Sequence, residues 1–194
     1  MTAFGFESAD CRDASSEVGR LDFAKVLEAL DAAFEARGLE WAVVGGVALT
    51  LHGLPRLTMD LDVVMGGEDQ EAVLSCLDSL GYECLHVSRG FSNHVHPEPS
   101  WGRVDILYVR GETQKSIFAQ VKPQVGPGRA TIPVADPEHL IAMKVFACRD
   151  SPGRRAQDLA DIRGLASVAE VPTERVREIF ARYEALDLWE STPS

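Results

Sequence analysis

Residues 41–65, WAVVGGVALTLHGLPRLTMDLDVVM, decide how this chain is read. A run this apolar belongs in a protein interior, yet it carries Asp60 and Asp62, one residue apart. Burying charge is costly unless something compensates it. LEWAVVGG reads as a short buried strand, and GVALTLHG as a short helix that opens after Gly46 and closes at Gly53. From Leu57 to Val63 the pattern has period two. Leu57, Met59, Leu61 and Val63 are apolar, while Thr58, Asp60 and Asp62 are polar. This predicts a strand with one apolar face and one carboxylate-bearing face. The two aspartates then project together, and like charges so close resist joint ionisation. A divalent cation with oxygen ligands resolves the conflict.

Upstream, RLDFAKVLEALDAAFEARG spaces Phe23, Val26, Leu27, Leu30 and Phe34 at three- and four-residue steps, an amphipathic helix ended by Gly38. Downstream, DQEAVLSCLDSLG predicts a second such helix, YECLHV and SNHVH predict strands, and RVDILYV is a β-branched and aromatic strand. DPEHLIAMKVFACR has Asp136 as N-cap and Pro137 at the first helical position. GRRAQDLADIRGLAS and PTERVREIFARYEAL predict two more helices. The order implies an α/β (α+β) fold, a mixed core sheet flanked by helices with a helical C-terminal layer. The expected organisation is a flexible lead-in over 1–20, a core over 21–135 and a helical subdomain over 136–194 packed on that core.

Bulk properties narrow the function classes. The chain has 194 residues, 45% hydrophobic and 25% charged, enough for a substantial core. No apolar run approaches the roughly 20 residues a membrane-spanning helix needs, and the N-terminus does not read as a signal peptide. Cys11, Cys76, Cys84 and Cys148 are scattered without a C-x-x-C pair, the usage of free thiols in a cytoplasmic protein. A net charge of −11 opposes broad, non-specific binding to nucleic acid. One local exception runs from Lys144 to Arg163, where Lys144, Arg149, Arg154, Arg155 and Arg163 outnumber Asp150, Asp158 and Asp161.

Two further features complete the candidate site. Asp105, the only acidic residue in RVDILYV, joins Asp60 and Asp62 if the two strands are neighbours. Three carboxylates can hold two metal ions about 3.5–4 Å apart, the arrangement that clamps an in-line phosphoryl displacement. Gly45 and Gly46 allow a sharp turn and close backbone approach, and a helix opening there presents free N–H groups to phosphate.

VVGGVALTLHGLPRLTMDLDVVM resembles the nucleotidyltransferase signature of the DNA polymerase beta superfamily: a G-G turn, a short helix, then D-x-D on a strand. Asp105 matches that family's third carboxylate. LIAMKVFACRDSPGRRAQDLADIRGL is similar to the C-terminal motif of the AbiEii-like branch, the toxin components of type IV toxin–antitoxin systems. There Lys144, Asp158 and Asp161 take the matching positions, and Gln157 stands where that motif usually has a lysine or arginine. The resemblance implies transfer of a nucleoside monophosphate from an NTP to an acceptor hydroxyl, with release of pyrophosphate. In that scheme Asp60, Asp62 and Asp105 bind two Mg²⁺ ions, Gly45 and Gly46 cradle the β- and γ-phosphates, and Lys144 neutralises phosphate charge. It leaves three roles open: a toxin-like enzyme acting on a tRNA 3′ end, an antibiotic nucleotidyltransferase of the aminoglycoside or lincosamide type, or a non-catalytic nucleotide-binding member of a toxin–antitoxin pair with an antitoxin partner.

Several residues carry a second reading. Arg56 either touches nucleotide or is a loop arginine, and Thr58 shares the carboxylate face and can brace Asp60. Lys144 either meets phosphate or snorkels from a buried helix. Asp158 and Asp161, three apart on one helical face, support that cation rather than react. His94 and His96 would share a strand face but lack a third metal ligand. Trp41 reads as core and Trp101 as a turn aromatic.

Overall fold

The computed structural model describes residues 21–190. The lead-in expected over 1–20, and Cys11 with it, lies outside the described residues. Helix α1 (Phe23–Glu35) begins where the Asp22 carboxylate accepts from the Lys25 amide at 3.2 Å. Val26, Leu27, Leu30 and Phe34 form its fully buried stripe. The strand β1 (Trp41–Val43) leads into α2 (Gly45–Leu51), then β2 (Asp60–Gly66) and α3 (Gln70–Ser79). Strands β3 (Glu83–Val87), β4 (Phe91–Val95) and β5 (Arg103–Val109) follow, then α4 (Gly111–Phe118), β6 (Lys122–Val125) and β7 (Thr131–Val134). The last described part is helical: α5 (Pro137–Asp150), α6 (Arg155–Val168), α7 (Thr173–Arg182) and α8 (Leu186–Glu190).

The strands form one mixed sheet in the order β3-β4-β5-β2-β1-β7-β6. Strands β2 and β5 run parallel and pair Asp62 with Asp105 and Asp60 with Arg103. Side chains alternate across this pair. Leu61, Val63, Val104 and Ile106 are fully buried on one face, and the three aspartates lie on the other. Above that second face sits α5, which packs against α2, α6 and α7. The N-terminus of α5 is as expected, with Asp136 accepting from the Glu138 amide at 2.8 Å and Pro137 in the first turn. One apolar cluster, from Val26 to Ala185, joins the sheet to the helices on it. The mixed sheet with flanking helices is the architecture expected from the sequence. No described helix is long and apolar enough to cross a membrane.

Three local expectations need correction. The D-x-D strand starts at Asp60 rather than Leu57, and Leu57 and Met59 are 77% and 74% exposed. The Thr58 hydroxyl bonds to Asp60 instead of leaving that segment free to extend the ladder. His94 and His96 do not share a strand face. His94 is buried and bonded to the Ser92 hydroxyl, whereas His96 lies beyond the strand end and stacks on Trp101. Finally, α4, β6 and β7 are additional elements that the periodicity did not reveal.

Candidate active site

The site forms at the bend after β1. Gly45 has φ of +62°, a left-handed conformation that favours glycine. A Cβ built there would lie 2.5 Å from Cγ of Asp62, so any other residue would displace the carboxylate. At Gly46 a Cβ would come within 2.7 Å of the Thr58 Cβ. The Val44 amide donates to the Asp62 carbonyl at 3.0 Å, locking the bend against β2. The two glycines therefore let the backbone approach the D-x-D strand more closely than side chains would permit.

The carboxylates meet on the β2–β5 face. Asp60 Oδ1 accepts from the Thr58 hydroxyl at 2.6 Å, and Asp105 Oδ1 accepts from Nδ2 of Asn93 at 2.7 Å. Arg103 stands 3.9 Å from the same Asp105 oxygen. Burial pushes the Asp62 carboxyl up to about 6, with Asp60 and then Asp105 adding like-charge repulsion; Arg154 and Lys144 oppose the shift. Asp105 is also raised, chiefly by burial, while Asn93 and Arg103 lower it.

Two carboxylates lean on neighbouring hydrogen-bond donors, and no described group of three acidic, histidine or cysteine side chains is drawn together as a closed metal cage. The donor set still suits Mg²⁺: it is all oxygen, it shares one sheet face, and at its centre is a carboxyl whose ionisation is opposed by its neighbours. A cation held by Asp60, Asp62 and Asp105 would relieve that repulsion.

These groups line a cleft of about 240 Å³. Its floor is Val44–Gly46 and the carboxylates, and its far wall comes from α5, α6 and the turn between them. Leu140, Met143 and Ala147 supply an apolar strip along α5, facing Leu107 of β5. Lys144 also reaches the wall, but its ammonium is engaged on two sides, at 2.8 Å from Asp158 Oδ1 and 2.7 Å from Asp161 Oδ2. Asp158 and Asp161 are buried, 3% and 8% exposed. Arg56 Nε lies 3.4 Å from Asp161, and the Gln157 carboxamide oxygen accepts from the Arg56 guanidinium. Gln157 thus helps hold Arg56 in place.

All ten expected site residues are found around one cleft: Gly45, Gly46, Arg56, Thr58, Asp60, Asp62, Asp105, Lys144, Asp158 and Asp161. Asn93 and Arg154 were not singled out by the sequence reading. Asn93 faces Asp105 because β4 pairs with β5 in that register, a fact no single-strand pattern contains. Arg154 lines the cleft from the turn Pro152–Arg154. Most of the basic segment faces elsewhere: Arg149 donates to the Tyr183 carbonyl, Arg155 to the Cys148 carbonyl, and Arg163 lies over the Trp189 ring.

Residues 103–191 match the family profile described as nucleotidyl transferase AbiEii toxin, type IV TA system. That match covers just under half of the chain, and it makes the C-terminal part similar to this nucleotidyltransferase family. Its fold is similar to that of the antibiotic-resistance factor ANT(2'')-Ia, with 16% identity, 88% of this chain and 98% of that chain covered, and a TM-score of 0.67. The lincosamide antibiotic adenylyltransferase LnuA aligns at 18% identity over 77% of this chain and 99% of that one, with a TM-score of 0.51. An antigenic nucleotidyltransferase-like protein from Paracoccidioides brasiliensis aligns at 15% identity over 87% and 91%, with a TM-score of 0.54. No curated protein matches the sequence. At these identities the likeness is one of fold. The family match takes in Asp105, Lys144, Asp158 and Asp161, but begins after the D-x-D pair.

Proposed function

We propose that this nucleotidyltransferase transfers a nucleoside monophosphate from an NTP to an acceptor hydroxyl, with Mg²⁺ held by Asp60, Asp62 and Asp105. The observation that carries the proposal is the register that sets Asp62 opposite Asp105, directly under the Gly45–Gly46 bend. Mg²⁺ bound there would supply electrostatic stabilisation of charge on the transferring phosphoryl group. The chain's own residues do the positioning. Backbone at Gly45 and Gly46 admits the triphosphate close to β2, since nothing projects from either Cα. Asp105, with its carboxyl raised, is the group placed to accept a proton from an acceptor hydroxyl. Asn93 fixes the Asp105 carboxylate through its 2.7 Å hydrogen bond. Positioning and preorganised charge, rather than a covalent nucleophile, account for the rate enhancement.

The first acceptor reading is an RNA, foremost a tRNA 3′ end; the AbiEii match supports the toxin-like role with an antitoxin partner on which that reading rests. A second reading, an aminoglycoside or lincosamide acceptor, is favoured by the net charge of −11 and by the inward engagement of most of the basic segment. Incubation with each α-labelled NTP, Mg²⁺ and total tRNA tests the first, and the same mixture with an antibiotic panel tests the second. Label on tRNA supports a toxin-like enzyme; label that appears only on an antibiotic refutes it. No label under any condition, with no NTP binding, refutes the transfer reaction altogether.

A further inference from the structure

The charged groups around the cleft fall into two sets. Lys144 and Arg56 face Asp158 and Asp161, two cations against two carboxylates, all within 3.4 Å links. That set is neutral as a whole, and its lysine side chain is only 16% exposed. A cation so matched has little charge left for an incoming anion, because binding phosphate would leave a buried carboxylate unpaired. The second set is Asp60, Asp62 and Asp105 on the sheet and Arg154 across from them. Arg154 is exposed and makes no ion pair or side-chain hydrogen bond among the described residues. It nonetheless lies close enough to act electrostatically on Asp62.

We infer that Arg154, rather than Lys144, is the residue that contacts the phosphate tail of the nucleotide. The inference rests on the NTP-dependent reading above and deepens it. The guanidinium is always charged and offers paired N–H donors that match two phosphate oxygens at once. It projects from Pro152–Arg154, a short 3₁₀ turn between α5 and α6, so its base is anchored while its head has no ion pair or side-chain hydrogen bond among the described residues. Lys144 is then a positioning residue: it holds Asp158 and Asp161, and through Asp161 it holds Arg56 at the cleft rim. The two cations thus have separate duties, one structural and one for substrate.

The test compares Arg154→Gln, Arg154→Lys and the wild type by calorimetric titration with Mg²⁺ and the tightest-binding of the four NTPs, its diphosphate and its monophosphate. Arg154→Gln is expected to weaken the triphosphate about tenfold or more, as for loss of a charge-assisted contact, and the monophosphate hardly at all. Arg154→Lys is expected to restore part of the loss, because charge returns without the paired donors. Thermal unfolding of Arg154→Gln is expected to match the wild type, which a structural role would not permit. Equal weakening of all three nucleotides, or none, would overturn the assignment. A wild type that binds no NTP would overturn the proposed reaction, and this inference with it, whereas normal NTP binding in Arg154→Gln would overturn this inference alone.

Discussion

Asp62 lies where its own charge is least welcome, and replacing it by asparagine exposes the cost. Its carboxyl is raised from 3.8 to about 6 by burial and by Asp60 and Asp105. At about 1.4 kcal/mol per pH unit, the ionised form costs the folded protein about 3 kcal/mol. The sign follows from proton uptake. Between pH 3.8 and 6 the folded state holds this proton more tightly than the unfolded chain does, so stability falls as pH rises across that window. Below it the penalty is absent, and above it the penalty is complete. Asp62→Asn keeps the shape and removes the charge. In EDTA it should be more stable than the wild type by about 2–3 kcal/mol at pH 7.5, with the gap closing towards pH 4. Denaturant titrations of both proteins at several pH values measure this directly. Saturating Mg²⁺ should reverse the ranking, because only the wild type binds the ion well. A variant no more stable than the wild type in EDTA, or an advantage independent of pH, would refute the placement of Asp62 beside two like charges.

Gly45→Ala should retain the fold with a loss of about 1–2 kcal/mol from the left-handed backbone, yet lose nucleotidyl transfer by about 100-fold, since the added Cβ displaces Asp62; thermal melts and labelled-NTP assays separate the two effects. Lys144→Met should destabilise the protein by about 3 kcal/mol or more in urea titrations, because Asp158 and Asp161 lose a buried partner. His94 is buried as the neutral ring, and burial lowers it to about 4. The unfolded chain therefore binds that proton first, and stability is lost as pH falls from 6.5 towards 4. In His94→Asn, the acid slope of stability between those pH values should be shallower than in the wild type. Asn93→Ala should slow transfer while leaving NTP affinity nearly unchanged, as read in a kcat against KM split, because it frees Asp105 without touching the glycine bend.

The sequence carried much of the site because the site is built from local patterns. D-x-D on a strand, two glycines before a short helix and a lone aspartate in RVDILYV are each visible within a few residues. What escaped was non-local or masked by composition. The alternation from Leu57 to Val63 does not reveal where pairing stops, and Leu57 and Met59 are exposed residues ahead of the strand. Strands β6 and β7 contain Pro123 and Pro133, which weaken a strand reading. Pro133 is tolerated because β7 meets β1 only at the pair Val43 and Val134. Arg154 looked like one basic residue among five; only the fold separates it from Arg149 and Arg155, whose guanidinium groups are capping backbone carbonyls.

The cleft is assembled from two stretches far apart in the chain, the β2–β5 pair and the α5–α6 wall. As a chain emerges from the ribosome, the three aspartates appear before any of Lys144, Arg154 or the α6 acids. Domains fold as units once their parts are available, and a nascent chain that ends before Asp158 has Lys144 but neither of the carboxylates that hold it. A product cut short before Asp158 is therefore expected to lack the α6 part of the cleft wall and to leave the Lys144 ammonium without its two carboxylate partners.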